Sequence, residues 1–297
     1  MGPWVIETHK LEKSFGKQAA LKGLDLQVPA GSIFGFLGKN GAGKTTTIEV
    51  LLSILRPDRG EASVFGVPVT DAKQSIAVRE RIGFVTEDKE LYPYMTVDQI
   101  IRFTRPFFPQ WRSDLEKRYL EMFALPPQKK VSDLSKGMRS QLMLLLAVAR
   151  GADLLILDEP TDGLDPTAVE DVLRELVSIA ADNGTTIFFS SHQLTEVEQI
   201  AEHVCILDRG RAVVMGALDD LKSRYQRIHV VVEKELDTPV RWVDGVEQVR
   251  QEGRTISLLV SRNVEAILQQ IRSLPGASTE QFPVGLKDIF METVRNN

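Results

Sequence analysis

The sequence holds a single cysteine, Cys205, among 297 residues. One thiol cannot form an internal disulfide, so the fold must rest on a packed core. Cys205 lies in the apolar run Val204-Cys205-Ile206-Leu207, which marks it as a buried structural thiol and fits a reducing compartment. Long hydrophobic runs are scarce as well. The longest, Leu142 to Ala149, is far short of the roughly 20 residues of a membrane span. A soluble chain is expected, with any membrane role supplied through a partner. Met1 to Lys10 lacks the basic head and apolar core of a secretory signal, and Pro3 and Ile6 after Gly2 break the myristoylation pattern. Positive charge is in deficit: 36 Lys and Arg against 41 Asp and Glu give a net −5. A phosphate backbone selects basic faces, so nucleic acid is not expected as a partner. Internal repeats and low-complexity segments are absent.

With 43% hydrophobic and 26% charged residues the composition is that of a globular protein, and the length suits roughly two domains of about 150 residues. The most informative stretch is Phe34 to Val50. An apolar strand, Phe34-Gly35-Phe36-Leu37, runs into Gly38-Lys39-Asn40-Gly41-Ala42-Gly43-Lys44-Thr45-Thr46, and a helix follows. Gly-x-x-x-x-Gly-Lys-Thr between strand and helix is a phosphate-binding loop. Glycines let backbone N–H groups curl around phosphate oxygens, and the helix turns its free N–H groups and positive dipole end toward the same anion. Gly38, Asn40, Gly41, Ala42, Gly43, Lys44, Thr45 and Thr46 are therefore the candidate nucleotide contacts. Lys44 is expected on the β- and γ-phosphates and Thr45 on Mg²⁺.

Alternating positions predict strands over Val5–Phe15 and Leu24–Val28; Glu61–Val69 reads as strand, turn at Gly66 and strand, and Ile82–Val85 as a short buried strand. A helix from Gly43 to about Leu55 ends at Arg56-Pro57-Asp58-Arg59-Gly60. From about residue 89 to 152 strand signals give way to helical spacing broken by prolines, which predicts an inserted helical subdomain. Leu154-Leu155-Ile156-Leu157 reads as a fully buried strand. A helix Pro166–Ala181, a strand Thr185–Phe189, a helix Thr195–Ala201 and a strand Val204–Leu207 complete an α/β core ending near residue 224. Residues 225–297 read as a small α+β accessory domain, with strands Ile228–Val232 and Thr255–Val260 and helices Asn263–Ser273 and Leu286–Val294.

The buried strand ends in Asp158-Glu159. In a nucleotide site the first acid holds Mg²⁺, directly or through water, and the second takes a proton from the attacking water. An apolar strand ending in Asp-Glu is uninformative alone; behind Lys44 it becomes a candidate catalytic edge.

The order of phosphate loop, helical lobe, Leu134-Ser135-Lys136-Gly137-Met138, Leu157-Asp158-Glu159-Pro160, Gly163-Leu164-Asp165 and Ser191-His192 resembles the ATP-binding-cassette (ABC) ATPases, a branch of the P-loop NTPases, over Val5 to Lys222. Ser-Lys-Gly-Met and the late Leu286-Lys287-Asp288-Ile289-Phe290 resemble ATPase subunits of bacterial exporters whose membrane domain is a separate chain. The resemblance implies ATP with Mg²⁺, a second ABC subunit (a copy or a paralogue) packed head to tail, and an integral membrane permease. It implies a location on the cytoplasmic face of the membrane, held through that permease. Each ATP is then shared between Lys44 of one subunit and Ser135 and Gly137 of the other. Further carry-overs are Phe15 as adenine platform, His192 as γ-phosphate switch, Asp165 as reporter between sites, and Glu87, in Thr86-Glu87-Asp88, in place of the metal-proximal Gln. Alternatives remain for several of these. Phe15 can be a core residue at a strand end, and His192 a structural one. Lys136 can be a cation near the partner's nucleotide or a solvated helix start. Among Tyr92, Tyr94, Phe103, Phe107, Phe108 and Trp111, a minority is expected to be exposed as a docking patch and the rest to be core.

Two other functions fit the sequence less well. A soluble cassette ATPase acting on a non-transport partner, ribosomal or chromosomal, would carry two phosphate loops or a long coiled-coil insertion. This chain has one loop and a compact lobe, besides its acidic balance. A non-hydrolysing regulatory cassette is disfavoured by the presence of Ser135, Glu159 and His192 together.

Overall fold

The computed structural model describes residues 4–86, 91–234 and 240–295. The chain divides by packing into two compact units, Met1–Met215 and Gly216–Asn297. The junction read from the sequence, near residue 225, falls later, beyond one further short helix.

In the first unit, β1 (Trp4–Phe15) and β2 (Gln18–Pro29) form an antiparallel hairpin. Next come β3 (Ile33–Gly38), α1 (Lys44–Leu51), β4 (Arg59–Val64), β5 (Val67–Pro68), α2 (Ser75–Glu80) and β6 (Ile82–Val85). The helical lobe holds α3 (Val97–Thr104), α4 (Ser113–Met122) and α5 (Lys136–Val148). The chain then returns through β7 (Leu154–Asp158), α6 (Pro166–Asn183), β8 (Thr186–Ser191), α7 (Leu194–Ile200), β9 (His203–Asp208) and β10 (Arg211–Ala217). One sheet has the order β2-β1-β4-β5 and is antiparallel. The other has the order β10-β9-β3-β8-β7-β6, and its run from β9 to β6 is parallel.

Every residue of β3, β7 and β8 is buried, which explains why these strands read as continuous apolar runs rather than alternations. Phe34 and Phe188 stack at 5.7 Å, and Phe36 lies 5.1 Å from Phe188. Each such ring contributes about 3–5 kcal/mol judged by large-to-small changes in cores. Gly35 is required by packing: a Cβ there would stand 2.2 Å from Cγ1 of Val197, so α7 lies directly on β3. The parallel order brings the ends of β3, β7 and β8 to one edge, with the phosphate loop, Asp158-Glu159 and Ser191-His192 all leaving from it.

The lobe is started and fastened by polar contacts. Thr96 and Gln99 form a reciprocal capping box at α3. Tyr119 of α4 is fully buried and its hydroxyl donates to Glu175 Oε2 of α6 at 3.1 Å, beside an Arg118–Glu175 ion pair at 2.9 Å. Burial and the adjacent Glu175 charge push the Tyr119 phenol well above its ordinary range.

The second unit contains α8 (Leu218–Arg224), β11 (Gln226–Val231), β12 (Val246–Glu252), β13 (Thr255–Val260), α9 (Val264–Arg272), β14 (Ser278–Pro283) and α10 (Leu286–Arg295). Its antiparallel sheet has the order β12-β13-β11-β14. Ile228, Val230, Ile256 and Leu258 pack with Ile267 and Ile271 of α9. Leu286 and Ile289 of α10 are fully buried, and Asp288 pairs with Arg227 at 2.7 Å.

Candidate functional site: a nucleotide cleft and a separate helix tip

A cleft of ≈ 1110 Å³ opens over the phosphate loop. Phe15, Asn40, Gly41, Gly43, Lys44, Thr45, Thr46, Asp158, Glu159 and His192 line it. Gly43 caps α1 with φ +112, and a Cβ there would meet the Ala20 carbonyl at 2.8 Å. Only glycine fits that backbone and that approach. Gly38 and Ala42 support the loop rather than line the cleft: Gly38 O accepts from Lys44 Nζ at 2.8 Å, and Ala42 is buried.

Lys44 is 6% exposed, and its Nζ lies 3.2 Å from Glu159 Oε1. Glu159 Oε2 accepts from the backbone N–H of His192 at 3.3 Å and lies 2.8 Å from His192 Nδ1. Glu159 adopts a left-handed backbone at φ +48. For a non-glycine residue this is a sparsely populated conformation costing about 1–3 kcal/mol, held only where the surroundings over-determine it. The surroundings here include Ser190, whose Oγ accepts from Glu159 N–H at 3.0 Å and donates to Asp158 Oδ1 at 2.5 Å.

Asp158 is buried, and burial raises its carboxyl above the ordinary range, against the lowering by hydrogen bonds from Ser190 and Thr45. Thr45 and Asp158 thus present two hydrogen-bonded oxygens side by side at the cleft wall, a donor set suited to a hard cation that also takes phosphate oxygens. Glu87, the third metal candidate, lies outside the described residues.

Phe15 is not a core residue: it is 51% exposed at the cleft mouth, with Lys13 Nζ 5.9 Å from its ring. Sequence reasoning missed Lys17, Gln18, Lys22 and Arg209, which share that rim. Lys17 lies in the turn after Phe15 and Gln18 opens the next strand, a sequence signal beside the aromatic. Arg209 stands at φ +45 and comes from a loop with no motif of its own.

Ser135 and Gly137 are not among the residues lining the cleft. Ser135 caps α5, accepting from Met138 N–H at 3.1 Å, and is exposed. Gly137 packs on the Gly163–Leu164 backbone and side chain. Lys136 is not simply solvated. Its Nζ pairs with Asp162 at 2.6 Å and its stem crosses Gly163, where a Cβ would meet it at 2.7 Å. Asp165 caps α6, accepting from Ala168 N–H at 3.0 Å.

The lobe aromatics overturn one expectation: the majority are exposed. Tyr94, Tyr92, Phe103 and Phe107 are 66%, 47%, 45% and 62% exposed, in contact in that order as a chain with centroid spacings of 5.8, 5.6 and 5.6 Å. Phe108 and Trp111 are half-buried. Phe108 lies under the Arg150 guanidinium at 4.2 Å, and Trp111 donates to Glu116 at 2.6 Å.

The ABC transporter family profile matches residues 21–162. The ABC transporter ATP-binding protein YhaQ of Bacillus subtilis (strain 168) is 35% identical over 95% of this chain and 96% of its own. The bacitracin transport ATP-binding protein BcrA of Bacillus licheniformis is 36% identical, over 75% of this chain and 73% of its own. The Nod factor export ATP-binding protein I of Cupriavidus pinatubonensis (strain JMP 134 / LMG 1197) is 33% identical over 97% and 90%. Among solved structures, an ATP-binding subunit of an ABC transporter superposes with TM-score 0.67 at 28% identity, covering 74% of this chain and 92% of that one. The dimeric bacterial cassette MJ0796 superposes with TM-score 0.66 at 21% identity, covering 72% and 98%, and supports the fold alone. The sequence motifs, the phosphate loop beside a buried Asp-Glu edge, and these likenesses agree, and the chain belongs to the ABC transporter ATP-binding proteins, cassette ATPases with a P-loop NTPase core.

Proposed function

We propose that this chain is the energising subunit of an exporter, working as one of two cassettes beneath a separate membrane permease at the cytoplasmic face. The observation that carries the reading is the division of the site. Buried Lys44 and Glu159 and exposed His192 form one chain of contacts at the cleft, while the exposed Ser135 cap at the tip of α5 is not among the residues lining it. A second protomer's Ser135 and Gly137 complete the pocket, and ATP joins the two.

The geometry supports the following roles. The loop amides from Gly38 to Thr46 and Lys44 hold the phosphates. Phe15 offers an exposed ring for the base. Glu159 takes the proton of the attacking water, with His192 fixing the carboxylate and facing the γ-phosphate. Thr45 and Asp158 fit Mg²⁺, which when bound neutralises charge developing on the phosphates. Export is supported by the relatives named for bacitracin transport and Nod factor export. The permease contact is assigned to the exposed aromatic chain from Tyr94 to Phe107, an apolar patch that water alone would not favour. Among the described residues no helix is long and apolar enough to cross a membrane, and the reading assigns the spanning element to the permease.

The test is affinity purification of the tagged chain from membranes, with identification of what comes with it. The reading expects an integral membrane protein in stoichiometric amount. A chain that purifies with ribosomes or chromosomal complexes instead would overturn it.

A further inference from the structure

Behind the cleft, and not lining it, Glu196 of α7 sits 5% exposed between two loops. Its Oε2 accepts from Thr161 Oγ1 at 2.8 Å and from Ser191 Oγ at 3.0 Å. Thr161 is 3% exposed and Ser191 fully buried. Thr161 follows Glu159 by two residues, and Ser191 directly precedes His192. The other carboxyl oxygen, Oε1, is buried with no hydrogen-bond partner. A carboxyl placed this way is costly, because burying a polar atom without a partner forfeits its hydration. An apolar side chain would fill the same space without that cost. What the carboxyl does provide is one oxygen joined to two hydroxyls from two different loops. Its own position is fixed by α7, which rests on β3 at the Gly35–Val197 contact.

We propose that Glu196 is a positioning residue, a latch that ties Thr161 to Ser191 and so holds Glu159 and His192 in register. The proposal rests on the roles given above to Glu159 and His192. Without the latch, the loop bearing Glu159 at its left-handed backbone and the loop bearing His192 are joined chiefly through Ser190 and the Glu159–His192 contact itself. Glu196 touches neither Lys44 nor the phosphate loop, so its loss should act on turnover and spare nucleotide binding. Burial raises the Glu196 carboxyl above its ordinary range, opposed by the Thr161 and Ser191 hydrogen bonds. The Gln carboxamide keeps the side chain's length and an oxygen that can accept from both hydroxyls, so Gln should replace Glu.

The experiment measures kcat, KM and equilibrium ATP binding for the full chain and its variants. Glu196→Ala should lower kcat about 10- to 100-fold, as misplacement of reacting groups does, with ATP affinity within about threefold of the parent. Glu196→Gln should recover most of that loss. Thr161→Val, which removes one arm and keeps the shape, should lower kcat by a smaller factor in the same direction. Parent-level kcat in Glu196→Ala, or Glu196→Gln as impaired as Glu196→Ala, overturns the latch. Should Glu196→Ala fail to fold, Thr161→Val and Ser191→Ala decide it, and unchanged kcat in both overturns it. Glu159→Gln and His192→Ala run alongside. If these two retain full turnover, the reading of the site itself has failed. If they are inactive while Glu196→Ala is normal, only the latch has.

Discussion

Lys44 Nζ and Glu159 Oε1 lie 3.2 Å apart, with both side chains more than nine-tenths buried. The cation proposed to bind phosphate and the acid proposed to activate water are thus direct partners. A nucleotide's phosphates must share Lys44 with Glu159, which links substrate entry to the charge balance around the acid.

Glu159→Gln removes the proton acceptor and half of that pair while keeping its shape. Turnover should fall by about 10²–10⁴. ATP affinity should hold or tighten, since Lys44 no longer faces a competing charge. Steady-state kinetics with equilibrium nucleotide binding checks both, and parallel loss of the two would contradict the role.

Lys44→Ala acts on both partners. It removes charge-assisted hydrogen bonds to phosphate worth about 1.5–3 kcal/mol each. It also leaves the Glu159 carboxylate buried without its cation, where breaking such a pair costs about 3–5 kcal/mol. Denaturation should show Lys44→Ala less stable than the parent, and the double variant Lys44→Ala with Glu159→Gln more stable than Lys44→Ala alone. Additive losses would mean the pair is not coupled.

Glu196 gives a pH test with a definite sign. Its folded carboxyl titrates above the ordinary 4.5, through burial foremost, with the like charge of Glu159 adding and His192 opposing. Folding therefore takes up a proton in the window above 4.5, and stability owed to this group falls as pH rises through its folded value. Gln does not titrate. The Tm of Glu196→Gln relative to the parent should therefore be higher at about pH 8 than at about pH 5. A difference independent of pH would contradict the shift.

The aromatic chain on the lobe predicts a separation of activities. Replacing Tyr94 and Phe107, 66% and 62% exposed, by Ser should leave stability and soluble ATPase within about twofold of the parent, since exposed side chains contribute little to the core. Recovery of a membrane protein with the chain should be lost. Retained recovery would move the docking surface elsewhere.

Much of the core was legible because its chemistry is local. The phosphate loop, the Asp158-Glu159 edge and the buried strands β7, β8 and β9 each announce themselves within a few residues. The missing strands were missed for a physical reason. All six residues of β14 are exposed, and β12 is mostly so, so neither carries an apolar alternation. The second unit's junction was set by packing rather than by composition. At the site, Thr161, Ser190, Ser191 and Glu196 were illegible because their meaning lies in hydrogen bonds between loops separated in sequence, such as Thr161 to Glu196 at 2.8 Å. The exposure of Tyr92, Tyr94, Phe103 and Phe107 was misjudged because the prolines at 106 and 109 and the short helices of the lobe leave one side uncovered, which residue type does not report.

The account depends most on the shared pocket: one protomer brings Lys44 and Glu159, another brings Ser135. The direct test is ATPase rate per chain as a function of chain concentration, with mass measured by light scattering at each point. The account predicts a rate per chain that rises with concentration as dimer forms in ATP and Mg²⁺, and that stays low throughout when Ser135 is replaced by Arg. A full rate, constant with dilution, from a chain that remains monomeric would contradict it.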